Sequence, residues 1–161
     1  MKMKRIAIAL AASLLMAGAA HAQDKSSYPA EIQKDLEEAQ KECAAADDGK
    51  TEIKPDFVRK LDLTGNKRAD YIVDFEQLAC STFESVYCGT GGCMHNIYVT
   101  TRDGALRRVF SGQVRAYWIS KAPGPKTITF DLHGGFCGKA GADDCRKKKL
   151  ITEKPFKFRD R

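Results

Sequence analysis

Six cysteines are the residues of this 161-residue chain whose chemistry is easiest to predict, and they are Cys43, Cys80, Cys88, Cys93, Cys137 and Cys145. Two close pairs lie in glycine-rich loops, where a short segment can turn back until two Cα atoms are about 5.5 Å apart. We therefore expect Cys88–Cys93 and Cys137–Cys145 bridges, with Cys43–Cys80 as the third. Bridging between the two loops is an equally open pairing.

Metal binding and redox catalysis are the competing uses of cysteine. The sequence contains no Cys-x-x-Cys pair, and the cysteine spacings match no zinc pattern. Cys93-Met94-His95 does not supply the Cys-x-x-Cys-His sequence of haem attachment. The cysteines are therefore predicted to form structural disulfides, which persist in oxidising compartments.

His95 and His133 are the two histidines that follow residue 22, and each borders a cysteine–glycine loop. Histidine with a nearby acid could act as a general acid or base. With Met94, the two rings could also form a soft metal site, for instance for copper. The sequence contains no Gly-x-Ser-x-Gly motif and no P-loop, so it identifies no catalytic residue.

The most specific local motif is the segment Asp62-Leu-Thr-Gly-Asn-Lys-Arg-Ala-Asp70. This segment resembles the calcium loop of FG-GAP/VCBS-type repeats. The resemblance implies Asp62, Thr64, Asn66 and Asp70 as side-chain ligands, with Arg68 giving its carbonyl. Only two of these side chains are carboxylates, so the predicted calcium site is weak. Side-chain hydrogen bonds to the backbone could hold the same turn without a metal. No other cofactor is expected.

An N-terminal helix is predicted over Ser27–Ala46, with Ser26 or Ser27 as N-cap and Pro29 in the first turn. Its apolar residues recur at helical spacing, which gives one narrow stripe of Ile32, Leu36, Ala39 and Cys43. The opposite face is charged, so we expect the helix to lie on the surface with this stripe packed against the rest of the protein.

Short strand signals follow the helix, separated by turn residues. The predicted strands are Phe57–Leu63, Tyr71–Phe75, Ile97–Thr101, Arg107–Phe110, Val114–Ile119, Thr127–Leu132 and Lys149–Thr152. Arg102–Gly104 and Ser111–Gln113 are predicted hairpin connections. A helix followed by strands indicates an α+β fold, with an amphipathic helix packed on a mostly antiparallel, disulfide-stapled β-meander.

The first 22 residues have the pattern of a cleavable export signal. A basic start is followed by an apolar run over Ile6–Ala17 and by the small-x-small site Ala20-His-Ala22. The apolar run is shorter than the roughly 20 residues that a membrane span needs. Residues 23–161 are therefore predicted to form one mature domain.

Charge is unevenly distributed along the mature chain. The signal holds three of the 27 basic residues and none of the 21 acidic ones, so its removal leaves a net charge of +3. Residues 23–56 are acidic, whereas the C-terminal segment 146–161 is basic. The two could pair within the fold, or the basic segment could meet an anionic partner such as lipid headgroups. Nucleic acid is not an expected partner of an exported protein.

The mature chain resembles a family of small uncharacterised exported proteins of alphaproteobacteria. The resemblance rests on the helix, the Asp62–Asp70 turn, Cys88-Gly-Thr-Gly-Gly-Cys93 and Leu132-His-Gly-Gly-Phe-Cys-Gly138. It implies the periplasmic compartment, with secretion as the lesser alternative, and it adds no site. We therefore expect a non-catalytic binding protein whose partner is another exported protein or an envelope component, for example as an inhibitor of an exported hydrolase. The alternatives are an enzyme that uses His95, His133 and an acid, and a calcium-binding module at Asp62–Asp70.

Overall fold

The structure, a computed structural model, describes residues 27–46, 48–82 and 86–158. The predicted export signal, residues 1–22, lies outside the described residues. One helix is followed by short and medium strands: α1 (Ala30–Ala45), β1 (Thr51–Ile53), β2 (Val58–Leu61), β3 (Asp70–Asp74), β4 (Leu78–Cys80), β5 (Cys88–Gly89), β6 (Gly92–Thr100), β7 (Leu106–Val114), β8 (Ala116–Ile119), β9 (Thr127–Leu132) and β10 (Cys145–Leu150).

Helix α1 carries the predicted apolar stripe, and the buried positions Ile32, Leu36, Ala39 and Cys43 confirm it. Its beginning differs from the prediction, because Pro29 occupies the N-cap position and no side chain caps the helix. The Pro29 carbonyl instead accepts hydrogen bonds from the Ile32 and Gln33 N–H groups, both at 3.0 Å. Ser27 is therefore not the N-cap, and Ser26 lies outside the described residues.

The strand pairs of the described residues are antiparallel, as predicted, and they form three separate sheets, which the sequence did not predict. The central sheet has the order β2-β3-β6-β7, with β5 paired to the start of β6. A second sheet has the order β8-β9-β10, and β1 pairs with β4 in a two-stranded ribbon. The α+β fold with one helix on mostly antiparallel strands is confirmed.

The described residues form two apolar core clusters, one on each face of the central sheet. The stripe of α1 packs on the first cluster, which includes Phe57, Val73 and Phe75. The second cluster joins the central sheet to β9 and β10 through Phe110 and Phe130. Burial of this apolar surface is the main stabilising contribution to the fold, and it fixes the position of α1.

Part of the basic C-terminal segment belongs to this core. Residues after β10 run back over the second cluster, and the Phe156 ring stacks 5.0 Å from that of Phe110. The Phe158 ring lies 5.2 Å from that of Phe130. In the described part of the segment, residues 146–158, strand β10 is therefore followed by a stretch that packs against the second cluster.

The sequence prediction of strands and turns needs two corrections. The short strands β1, β4 and β5 were not predicted. Ser111–Gln113, predicted as a hairpin connection, lies inside β7 and pairs with Met94–Asn96 of β6. Gly112 makes no turn there, because its backbone is extended. The Phe110 ring packs beside Gly112, and its nearest atom is 3.2 Å from the position that a Cβ would occupy. Arg102–Gly104 does connect β6 to β7.

Disulfide bonds staple the fold, as predicted. The structure pairs Cys43 with Cys80, Cys88 with Cys93 and Cys137 with Cys145, which is the set that the loop argument favours. The first bridge joins α1 to β4. Within the described ranges, no helix is long and apolar enough to cross a membrane.

Candidate functional site

Asp70 is the centre of the Asp62–Asp70 loop. Its carboxylate is fully buried at the start of β3. Oδ2 accepts hydrogen bonds from Leu63 N at 2.8 Å, Thr64 N at 2.9 Å and Thr64 Oγ1 at 3.0 Å, while Oδ1 accepts one from Thr100 N at 2.8 Å. Four donors therefore surround this carboxylate and compensate for the loss of its hydration.

The other predicted calcium ligands also bind the backbone. Asp62 accepts hydrogen bonds from Gly65 N at 2.7 Å and Lys67 N at 2.9 Å. Asn66 Oδ1 accepts one from Arg68 N at 2.8 Å, and its Nδ2 donates to a carbonyl of β6. The loop thus brings the four side chains together as a hydrogen-bonded turn. Nowhere in the described chain do three or more His, Cys, Asp or Glu side chains form a group that could hold a metal ion, and calcium binding stays a prediction.

His95 lies on β6 beside an acid, Asp74 of β3. Its Nε2 is 3.2 Å from Asp74 Oδ1, and its Nδ1 is 2.9 Å from the Cys93 carbonyl oxygen. The Tyr117 ring packs edge-on over the imidazole at 5.2 Å. The side chains of the pair are only 5% and 12% exposed, so a substrate has almost no access to them.

His133 has a different environment. It precedes the 3₁₀ turn Gly134–Cys137, and its Nδ1 accepts a hydrogen bond from Gly135 N at 3.2 Å. Its ring also packs against Gly141, where a Cβ would stand 2.3 Å from Nε2. His133 therefore orders the loop closed by the Cys137–Cys145 bridge. No hydrogen bond or ring contact joins it to His95 in the described residues, so the structure does not bring the two predicted partners together.

A cleft with acidic walls lies between α1 and the strands β6 and β7. Acidic residues recur along one face of the helix, next to its apolar stripe: Glu31, Asp35, Glu38 and Glu42. Two cavities of about 160 and 240 Å³ adjoin there and share Asp35, Glu38 and Arg108 in their walls. We call this region the acidic cleft and define it by Asp35, Glu38, Glu42, Asn96 and Arg108.

The centre of the acidic cleft is the buried carboxylate of Asp35. Its Oδ2 accepts hydrogen bonds from Asn96 Nδ2 and the Tyr98 hydroxyl, both at 2.6 Å. The guanidinium of Arg108 is 3.6 Å from Oδ1, and its side chain is half exposed. Asn96 is 96% buried, yet its Oδ1 accepts no hydrogen bond from any described residue. The cleft therefore contains an acceptor that lacks a donor.

The Tyr98 hydroxyl gives this network a measurable pH dependence. Burial, and secondly the hydrogen bond to Asp35, raise the pKa of Tyr98 above its ordinary value of 10.0. Above this pH, the unfolded chain releases a proton that the folded chain retains. The contribution of Tyr98 to stability is fully present below about pH 10. Above pH 10, the free energy of unfolding falls with rising pH, by up to about 1.4 kcal/mol per pH unit. Urea denaturation from pH 8 to 12 should show a smaller loss for Tyr98→Phe, and an equal loss would contradict the assignment.

A third cavity, of about 360 Å³, lies beside the Asp62–Asp70 loop. Its walls include Thr64, Asn66, Pro125 and Leu150. The side-chain amide of Asn66 is already hydrogen-bonded within the protein. The charged side chains of Arg102, Glu153 and Lys154 also line this cavity, so it combines apolar contact with charges of both signs.

An aromatic and basic surface lies on the outer face of the β8-β9-β10 sheet. Trp118 is 50% exposed, and the Arg146 guanidinium stacks over its ring at 5.6 Å. Lys148 is directly across the sheet from Trp118, through Thr129 of β9. Exposed Leu150 continues the same face of β10. We call this surface the Trp118 face and define it by Trp118, Arg146, Lys148 and Leu150.

The charges of the Trp118 face stay available to a partner. No ion pair between α1 and residues 146–158 occurs among the described residues, although the sequence allowed the acidic and basic segments to pair. Asp131 on β9 is opposite Arg146 in the register, but it makes no ion pair with it. The face therefore presents two basic side chains around an exposed aromatic ring.

Both surfaces were missed by reasoning from the sequence. The acidic spacing along α1 was a usable signal, since it parallels the apolar stripe one position away. No signal in the sequence indicated the opposite wall of the acidic cleft, because Asn96 and Arg108 reach the cleft only through the pairing of β6 with β7. In comparisons with protein-family models, curated proteins and solved structures, nothing matches this chain.

Proposed function

We propose that this protein is a non-catalytic binding protein of the periplasm, and a member of the exported alphaproteobacterial family that it resembles. Three disulfides with no free cysteine indicate an oxidising, extracellular type of compartment. The signal pattern of residues 1–22 supports delivery to that compartment.

The Trp118 face is the observation that carries the proposal. A large aromatic ring with half its surface in water loses the stabilisation that burial would give. Tryptophan and arginine are the residues most enriched among those that dominate binding energy at protein interfaces. Here the two are stacked on a sheet whose other side packs into the core, so they are held in place before a partner arrives.

The charge of this face supports an acidic partner, and we propose the substrate cleft of an exported hydrolase. Cell-wall glycosidases carry a pair of carboxylates in that cleft. Arg146 and Lys148 would meet these carboxylates, while Trp118 and Leu150 supply apolar contact. Such binding would exclude substrate, which makes the protein an inhibitor of the hydrolase.

The histidines support this proposal over an enzymatic one. Asp74 and His95 form a buried pair beneath Tyr117, and His133 orders a loop elsewhere. A general acid or base must come within hydrogen-bonding distance of its substrate. The environment of His95 leaves little room for that contact.

Inhibition of cell-wall hydrolysis tests the proposal. We expect the purified mature protein to slow the action of a c-type lysozyme or a lytic transglycosylase on peptidoglycan. The double variant Trp118→Ala/Arg146→Glu should need at least about tenfold more protein for the same effect, since such residues commonly contribute 2 kcal/mol or more. Lys54→Glu, a charge reversal at an exposed lysine outside the face, is the matched control. Absence of inhibition by the native protein, or equal inhibition by both variants, would contradict the proposal.

A further inference from the structure

We propose that the acidic cleft is a second binding site, one that takes a guanidinium or primary ammonium group. The group would come from an arginine or lysine side chain of a peptide, or from a free amine. The cleft shares no residue with the Trp118 face, so this inference goes beyond the function proposed above and stands independently of it.

Charge is the first argument for a cation. The smaller cavity is lined by three acids, Asp35, Glu38 and Glu42, against the single base Arg108. Within a partly enclosed cleft, an excess of one charge attracts the opposite charge more strongly than it would on an open surface. Glu38 and Glu42 are exposed at the mouth, and a ligand reaches them without rearrangement of the core. Glu42 already accepts a hydrogen bond from the Tyr87 hydroxyl, so Glu38 is the acid with no hydrogen bond to another described residue to give up.

The second argument is the unpartnered acceptor on the inner wall. Asn96 Nδ2 donates to Asp35, which fixes the amide orientation and leaves Oδ1 directed away from that carboxylate. A buried carbonyl oxygen without a donor costs about 1–3 kcal/mol. An N–H group of a ligand that enters the cleft would satisfy this acceptor, and the acids around it favour a donor that carries positive charge.

Arg108 shows that the cleft accommodates this chemistry. Its guanidinium lies over Asp35, but the nitrogen-to-oxygen distance of 3.6 Å is too long for a hydrogen bond. The Arg108 side chain is also 51% exposed. A ligand cation would therefore compete with an internal one that also interacts with the Tyr98 hydroxyl, and displacement of Arg108 into water would open the way to Asn96 and Asp35.

An organic cation fits these acceptors better than a metal ion. The acids of the cleft do not form a cluster of metal ligands within the part of the chain that the structure describes. A guanidinium carries five N–H donors in a planar fork, and an ammonium carries three. Such a group can donate to acceptors that are too far apart to coordinate one metal.

Titration followed by NMR tests the site with defined probes. Methylguanidinium and n-butylammonium are added to the ¹⁵N-labelled mature protein, with acetamide as the neutral probe. We expect saturable shifts of the Asn96 side-chain amide and of α1 amides near Glu38, weakened by added salt. The peptide acetyl-Gly-Arg-Gly-amide separates the two sources of the cation. Tighter binding of the peptide than of methylguanidinium assigns the site to a protein side chain, and equal binding assigns it to a free amine.

Three variants make the test specific. Glu38→Gln/Glu42→Gln should weaken methylguanidinium binding by roughly fivefold, the effect of removing two exposed charge pairs. Glu37→Gln, on the exposed outer face of the same helix, should bind as the native protein does. Arg108→Gln should bind more tightly, because the competing cation is gone.

Several results would overturn the inference. They are the absence of a saturable shift with either cation, equal shifts with acetamide, native affinity in Glu38→Gln/Glu42→Gln, and weaker binding in Arg108→Gln. The substituted glutamates are exposed, so the variants should fold, and unchanged backbone spectra of the free variants verify this.

Discussion

Replacement of Cys43 and Cys80 together by alanine is expected to lower the free energy of unfolding by about 4 kcal/mol. The bridge closes a loop with a sequence separation of 37 residues, and its loss lets the unfolded chain explore many more conformations. It also joins α1 to β4, and both sulfurs lie in a buried environment. The helix would then depend for its position on its apolar stripe and on the hydrogen bonds of Asp35 with Asn96 and Tyr98.

The Cys88–Cys93 bridge provides the matched comparison. Its sequence separation is only 5 residues, so the same double replacement there should cost about 2 kcal/mol. Urea denaturation of the two variants and the native protein measures both losses. Equal losses, or a larger loss at Cys88–Cys93, would contradict the view that the first bridge is the main covalent constraint on α1.

Asp70→Asn is expected to destabilise the protein by about 3 kcal/mol or more, the range for a broken buried network. The carboxylate accepts four hydrogen bonds, whereas an amide would turn an NH₂ group toward one set of those donors. Thermal and urea denaturation measure the loss. Asp62→Asn is the control, because Asp62 is only partly buried and holds two backbone groups of the same loop.

Calcium separates the two interpretations of this loop. If hydrogen bonds alone hold the turn, addition of calcium leaves the melting temperature of the native protein unchanged. If the loop binds calcium, the melting temperature rises with calcium concentration, since a ligand of the folded state stabilises it. We expect the first result. A calcium-dependent rise that Asp70→Asn abolishes would contradict it.

The sequence predicted the helix and most strands well because local patterns decide them. The stripe through Ile32 and Cys43 fixes which side of α1 is buried. Thr127–Leu132 alternates so regularly that its bounds match β9. The failures occurred where pairing with distant strands overrides local signals, as at Ser111–Gln113, which turn chemistry favours but β6 holds in an extended strand.

The candidate sites were predictable to a lesser degree. The convergence of Asp62 and Asp70 on one turn followed from their spacing along the chain. The burial of His95 beside Asp74 could not be predicted from the sequence, and neither could the acceptor of Asn96 that lacks a donor. Both features depend on neighbours in adjacent strands. Trp118 could not be identified as exposed, since a tryptophan in a strand is as readily placed in a core.

Trp118 is the only tryptophan of the chain, and its fluorescence therefore reports directly on the proposed binding face. The most direct test of the central claim is titration of the mature protein, with its tryptophan selectively labelled, by a cell-wall hydrolase. The account predicts a saturable change in Trp118 emission at the concentrations that inhibit the enzyme, reduced in Arg146→Glu and retained in Lys54→Glu. Inhibition without any change at Trp118, or no binding at all, would contradict it.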